Sequence, residues 1–153
     1  MKVIGFAATS LGLLVLAASA PATRAAGKEV TYIPSEKVAA GFVKGMPLVE
    51  QENYKVHASR REVAGQVEVH TKDTDIIHVL TGTATFVTGG TMVGGKGIEP
   101  EEIRGTSVEG GLTRTIRPGD VIIVPNGTPH WFKEVSGPMT YYVVKVRAAG
   151  DAP

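Results

Sequence analysis

The chain has 153 residues, 42% hydrophobic and 20% charged, with a formal net charge of +1, 19 glycines, 9 prolines and no cysteine. That balance suits one globular domain rich in turns, and a charge so near zero gives no electrostatic basis for nucleic-acid binding. Without cysteine there is no disulfide framework and no thiolate to act as ligand or nucleophile.

Residues 1–26 stand apart from the rest. Met1-Lys2 is a short positive start, and residues 3–18 are an apolar run relieved only by Gly, Thr and Ser. Small residues then recur at the spacing a signal peptidase reads. This is the pattern of a secretory signal peptide, placed at residues 1–25. The alternative is an uncleaved membrane anchor, since the run is near the lower limit for spanning. Cleavage after Ala25 removes Lys2 and Arg24 and no acid, which takes the formal charge from +1 to −1. The mature protein is then expected to be periplasmic or secreted and free of the membrane.

An N-terminal segment follows over residues 27–50. Residues 28–33 read as a first short strand. Residues 36–42 read as a short helix with Ser35 as its N-cap and Val38, Ala39 and Phe42 on one face; Gly45 and Pro47 end it. Residues 51–148 read as a β-barrel. Strands are expected over 53–61, 63–70, 76–80 and 83–88, where β-branched residues and turn signals alternate. Residues 91–111 are glycine-rich and irregular, an ornamented hairpin with one helical turn over 100–105. Strands over 113–116, 121–124, 130–135 and 140–147 bring the total to roughly nine, the number and spacing of a closed barrel or sandwich.

Two stretches carry the chemistry. In the first, Glu68 and His70 lie two apart on a strand and point to one side, with Val67 and Val69 on the other. Asp75, Ile77 and Val79 share a face of the next strand, and parity turns His78 away from Asp75. In the second, Val121 to Val124 form a short buried strand that Pro125 stops. Asn126-Gly127 signals a two-residue hairpin. His130, Phe132 and Glu134 then share one face of the following strand. Histidine and carboxylate are the donor types that suit Mn, Fe, Zn or Ni. Buried carboxylates demand a partner or an ion, so the alternative is a hydrogen-bonded Glu68–His70 pair in a metal-free barrel.

The second stretch, G-x5-P-x-G-x2-H at Gly119, Pro125, Gly127 and His130, resembles the second motif of the cupin superfamily. Residues 68–82 are similar to its first motif, H-x-H-x3-4-E-x6-G, with His70 and Gly82 matching. Glu68 stands at the first histidine and Asp75 at the glutamate. Glu62 stands where a leading glycine is usual, with Gly65 nearby, and Glu134 replaces the final asparagine. The resemblance spans about residues 54–147. It implies an all-β, single-domain cupin barrel, a double-stranded β-helix of jelly-roll type, with a short N-terminal helix. It implies that Glu68, His70, Asp75 and His130 converge on a divalent metal ion, and that the protein is a homodimer.

Around that set, Glu134 is expected to face the cavity below His130 and orient its ring. His57 is weighed as an acid/base against a partly exposed strand histidine. His78 is expected to pack between sheets or at a subunit contact. Lys72 and Asp73 are expected to be solvated in a turn, and Trp131 and Tyr141-Tyr142 to serve core or interface. The leading functional expectation is a metal-dependent enzyme acting on a small organic substrate, of dioxygenase, decarboxylase or isomerase type. A non-catalytic cupin module binding a small ligand or metal, and a purely structural barrel, are the alternatives. No nucleophile–base–acid set names the substrate or a catalytic residue.

Overall fold

The computed structural model describes residues 29–147. The signal peptide expected at residues 1–25 lies outside them. Among the described residues, no helix is long and apolar enough to cross a membrane.

The strand expected over residues 28–33 does not form: residues 29–34 have no regular structure. Val30 and Tyr32 are exposed, and without a neighbouring strand an extended segment has no partners for its backbone groups. Helix α1 (Ser35–Lys44) is as expected in place and one turn longer than the apolar spacing marks. Its N-cap is Pro34 rather than Ser35, with no side-chain capping bond. Gly45 stops it in the left-handed region (φ 69°) and donates its N–H to the Gly41 carbonyl at 2.9 Å. The face laid on the sheet is Val38, Gly41 and Phe42, whereas Ala39 is exposed.

Thirteen strands follow among the described residues, all paired antiparallel. They are β1 (Met46–Glu50), β2 (Tyr54–Arg61), β3 (Val67–His70), β4 (Asp73–Thr81), β5 (Ala84–Thr88), β6 (Thr91–Val93), β7 (Lys96–Glu99), β8 (Glu102–Gly105), β9 (Ser107–Glu109), β10 (Leu112–Ile116), β11 (Val121–Val124), β12 (His130–Val135) and β13 (Met139–Arg147). One sheet runs β1-β2-β13-β4-β11 and the other β10-β5-β12-β3-β8-β7, with β6 and β9 as a separate ladder. The sheet therefore begins at Met46, inside the segment assigned to an N-terminal extension. Residues 91–111 are not irregular. They form four short strands, and Pro100-Glu101 is the tight connection between β7 and β8 rather than a helical turn.

Asn126-Gly127 does turn the chain, but it does not make a hairpin, because β11 and β12 belong to different sheets. The Thr128 N–H donates to the Pro125 carbonyl at 3.2 Å with Gly127 at φ 74°. Asn126 stays out of the left-handed region, so this is a type II rather than a type I′ turn.

Strand alternation builds the interior. Ile77 and Val79 on β4, Tyr141 and Val143 on β13, Ala84 and Phe86 on β5 and Phe132 on β12 form one buried cluster with Ile116, Val124 and Met139. The same inward faces change character further along. On β4 the row Val79, Ile77 ends in Asp75; on β13 Tyr141, Val143 ends in Lys145; on β12 Phe132 is preceded by His130. One end of the barrel is apolar and the other polar.

Gly82 joins the two sheets at φ 76°, and a Cβ there would meet Met139 Cα and the Pro138 carbonyl oxygen at 2.8 Å. Gly119, at φ 95°, has open space around it. Gly82→Ala is therefore expected to cost about 3 kcal/mol in urea denaturation, backbone strain plus collision with rigid backbone, and Gly119→Ala about 1 kcal/mol from strain alone.

Candidate metal centre

Cross-strand register assembles the polar end. Glu68 lies opposite His130 on one side and Arg104 on the other; His70 lies opposite Glu102; Asp75 lies opposite Lys145. Directly opposed residues on one sheet face put their side chains in contact. The result is a cavity of about 420 Å3, walled by β2, β3, β4, β12 and β13 and overhung by the β7–β8 connection.

Glu68, His70 and His130 each aim one donor atom at the same point, and these atoms all lie within 4.8 Å of one another. Glu68 Oε2 is 3.7 Å from His70 Nε2 and 3.8 Å from His130 Nε2. Ligand atoms around one small divalent ion stand about 3.0–3.4 Å apart, so a slight contraction would close the set on an ion.

The tautomers agree with that use. His130 Nδ1–H donates to the Thr128 carbonyl at 3.2 Å, which leaves the Nε2 lone pair facing the cavity. His70 Nδ1 is hydrogen-bonded to Glu102 Oε2, the carboxylate–histidine arrangement that orients metal-ligating imidazoles. His70 Nε2 is buried with Asp75 Oδ2 at 3.3 Å and Glu68 Oε2 at 3.7 Å as its nearest charged neighbours. A buried imidazole nitrogen facing carboxylate oxygens and a second imidazole fits a cation. The turn after β11 stiffens the pair, because the Gly127 N–H donates to the His70 carbonyl at 2.8 Å and Asn126 Nδ2 to the Thr71 carbonyl at 3.3 Å.

Asp75, the fourth expected ligand, stands at the edge of this trio. Its Oδ2 is 3.3 Å from His70 Nε2 and 3.8 Å from His130 Nε2, but Lys145 Nζ grips both of its oxygens at 2.8 and 3.0 Å. Glu134 is the clear correction. A bulge between Phe132 and Glu134 breaks the alternation, so Glu134 is exposed and accepts from Thr85 Oγ1 at 3.0 Å. The Thr128 carbonyl, not Glu134, orients His130. Asp73 is also not solvated: it accepts from Arg147 Nε at 3.0 Å at the cavity mouth, and Lys72 lies 3.3 Å from Glu101. His57 does line the cavity, 3.4 Å from Glu50 Oε1. His78 is exposed on the outer face rather than packed between sheets. Trp131 donates to the Gly65 carbonyl at 2.7 Å, and Tyr141 is buried in the core with its hydroxyl at the cavity.

Four cavity residues escaped the sequence reading: Arg61, Glu102, Arg104 and Lys145. Arg104 pairs with Glu68 Oε1 and, at 2.6 Å, with Glu102 Oε1. None sits at a motif position; each is found only once the strand register is known.

The family model for cupins matches residues 36–152. The chain belongs to the cupin family. Solved structures share its fold at low identity. A Bacillus halodurans protein is 12% identical, with 80% of this chain and 85% of that one covered and a TM-score of 0.56. The cupin domain of Cnp3 from Schizosaccharomyces pombe is 13% identical, with 68% and 60% covered and a TM-score of 0.50. No protein of curated description matches this cupin's sequence significantly.

In this cupin the metal-free charges oppose one another. Burial disfavours the His70 imidazolium, but the Asp75 and Glu102 carboxylates on its two nitrogens override this and raise its pKa from 6.5 to about 9. Burial outweighs the nearby carboxylates at His130 and lowers its pKa, so that ring stays neutral. Burial raises the carboxyls of Asp75 and Glu102, yet His70 with Lys145 and with Arg104 brings both below their usual range.

These directions fix a pH dependence for metal-free protein. Below pH 6.5 His70 is protonated folded and unfolded, and its stabilising contribution is complete. Between 6.5 and 9 the unfolded chain gives up the proton first, so stability falls by about 3 kcal/mol and the loss is finished above 9. His130 acts the opposite way and only below 6.5. Thermal melts in chelator from pH 6 to 9.5 are expected to show this decline in the native chain and to flatten in His70→Asn.

Proposed function

We propose that this cupin is an exported metalloprotein that holds one divalent ion, Mn, Fe, Zn or Ni, on Glu68, His70 and His130, and acts on a small organic molecule in the cavity. The observation that carries the reading is the gathering of one donor atom each from Glu68, His70 and His130 within 4.8 Å of one another. Two histidines and one carboxylate leave coordination positions open, the pattern of sites that process substrates rather than only brace a fold. Asp75 is proposed as an outer ligand, released from Lys145 or bound through water.

A bound ion would supply Lewis-acid polarisation for decarboxylase or isomerase chemistry, or, if redox-active, reactivity toward oxygen for a dioxygenase. The chain's own residues do the rest. Glu102 holds the His70 ring and Thr128 the His130 ring, so both present Nε2. Arg104 engages Glu68 Oε1 and leaves Oε2 toward the imidazoles. His57, on the β2 wall with an unpartnered Nε2 near Glu50, is placed to carry a proton into or out of the cavity. A non-catalytic binding module is the second reading. It is favoured by the ion pairs that already match Glu68, Asp75 and Glu102 with Arg104 and Lys145, which let the barrel stand without an ion.

Elemental analysis of the purified domain is expected to find one metal per chain, lost in Glu68→Ala and in His130→Ala; metal retained by both variants refutes the ligand set. Because His70 must give up its proton, apparent affinity is expected to fall about tenfold per pH unit below 9, with one proton released per ion at pH 7 in calorimetry. Bound metal with no turnover of carboxylic acids, phenols or sugars favours the binding module, whereas no metal and a melting temperature unmoved by chelation favour a purely structural barrel.

The homodimer is proposed to form on β11. Among the described residues this strand pairs with β4 alone and shows Val121 and Ile123 at 59% and 64% exposure, an apolar edge. Ile123→Lys is expected to give a folded monomer by light scattering where the native chain gives a dimer.

A further inference from the structure

Charge around the proposed ion is closely matched. Glu68, Asp75 and Glu102 are the carboxylates that touch the histidines, and Arg61, Arg104 and Lys145 are the cations that touch those carboxylates. Their side chains are between 5% and 27% exposed. With both histidines neutral as ligands, three negative and three positive charges cancel. The wider wall adds Lys55, Asp73, Glu99 and Glu101, so the ion's charge alone does not call for an anion, and any anion must be drawn by a particular cation with donors to spare.

The three cations are not equally committed. Lys145 binds both oxygens of Asp75, and Arg104 binds Glu68 and Glu102. Arg61 makes only long contacts: Nη2 is 3.5 Å from Glu68 Oε1, and Nε donates to the Tyr141 hydroxyl at 3.4 Å. Its Nη1 has no acceptor among the described residues and occupies the room left by the missing side chain of Gly65. The guanidinium carbon lies 4.6 Å from the centre of the Phe132 ring, which holds the group without using its N–H donors. A guanidinium fork with spare donors matches a carboxylate in shape and charge. The Tyr141 hydroxyl accepts from Arg61 and so keeps its own proton to donate; burial raises its pKa and keeps it protonated.

We propose that Arg61 and Tyr141 form an anion subsite that seats the carboxylate of a small organic acid beside the metal. The substrate class is thus a carboxylic acid small enough for a cavity of about 420 Å3. The proposal rests on the reading that an ion sits on Glu68, His70 and His130. Arg61 positions the acid and is not itself a metal ligand.

Calorimetric titration of malonate, its neutral diamide and inorganic phosphate into manganese-loaded and metal-free protein tests this. Malonate is expected to bind the loaded protein at least about tenfold more tightly than the diamide or phosphate, and to weaken about tenfold or more without the ion. Arg61→Gln is expected to lose about tenfold in malonate affinity with metal content unchanged, and Arg61→Lys to recover part of it. Equal affinity for malonate and diamide overturns the subsite, as does tighter binding of phosphate or an Arg61→Gln variant that binds malonate normally. Should that variant fail to fold, the comparison of malonate with diamide on the native chain decides. Failure to take up manganese, zinc, iron or nickel would instead overturn the metal reading itself.

Discussion

Register between antiparallel strands is the constraint on which the site depends. Glu68 faces Arg104 and His130, His70 faces Glu102, and Asp75 faces Lys145, each as a directly opposed pair. Because side chains alternate with a period of two, a slip of one residue on β3 would turn Glu68 and His70 outward and bring Val67 and Val69 into the cavity. Val67 and Val69, buried on the opposite face of β3, guard against that slip, since it would exchange them with a carboxylate and an imidazole. On β4, β12 and β13 the same alternation that buries Ile77, Val79, Phe132, Tyr141 and Val143 turns Asp75, His130 and Lys145 into the cavity. Core packing and ligand placement are therefore one requirement met by the same strands.

Much of this could be read from the amino-acid order, for the reason that alternation is local. The inward set Asp75, Ile77, Val79 and the outward His78 follow from parity alone, and the structure places them so. Glu68 and His70 share a side for the same reason. Parity failed where the backbone departs from a regular strand. The bulge after Phe132 sends Glu134 to solvent, and nothing in residues 130–135 announces an extra residue. The turn at Asn126-Gly127 was recognisable as a turn, but whether the strands beside it pair with each other is a property of the whole topology.

The partners of the donors were not legible at all. Lys145 is 70 positions from Asp75, and Glu102 is 32 from His70. Both depend on pairing between strands distant in the chain. The 91–111 segment hid most, because its glycines read as irregular structure. Gly105 serves instead to let short strands approach closely, with Met92 packed where its side chain would be. Out of that segment comes β8, which supplies both the carboxylate behind His70 and the guanidinium behind Glu68.

The bond from the Gly127 amide to the His70 carbonyl has a further effect. It fastens the approach to one imidazole directly onto the strand that bears the other, so the separation of the two rings, 5.1 Å between centroids, is hard to stretch. A gap held by backbone would limit how far the two imidazoles can part around an ion. Calcium would be disfavoured by the donor types, because it takes six to eight oxygens and two of the three donors here are imidazole nitrogens.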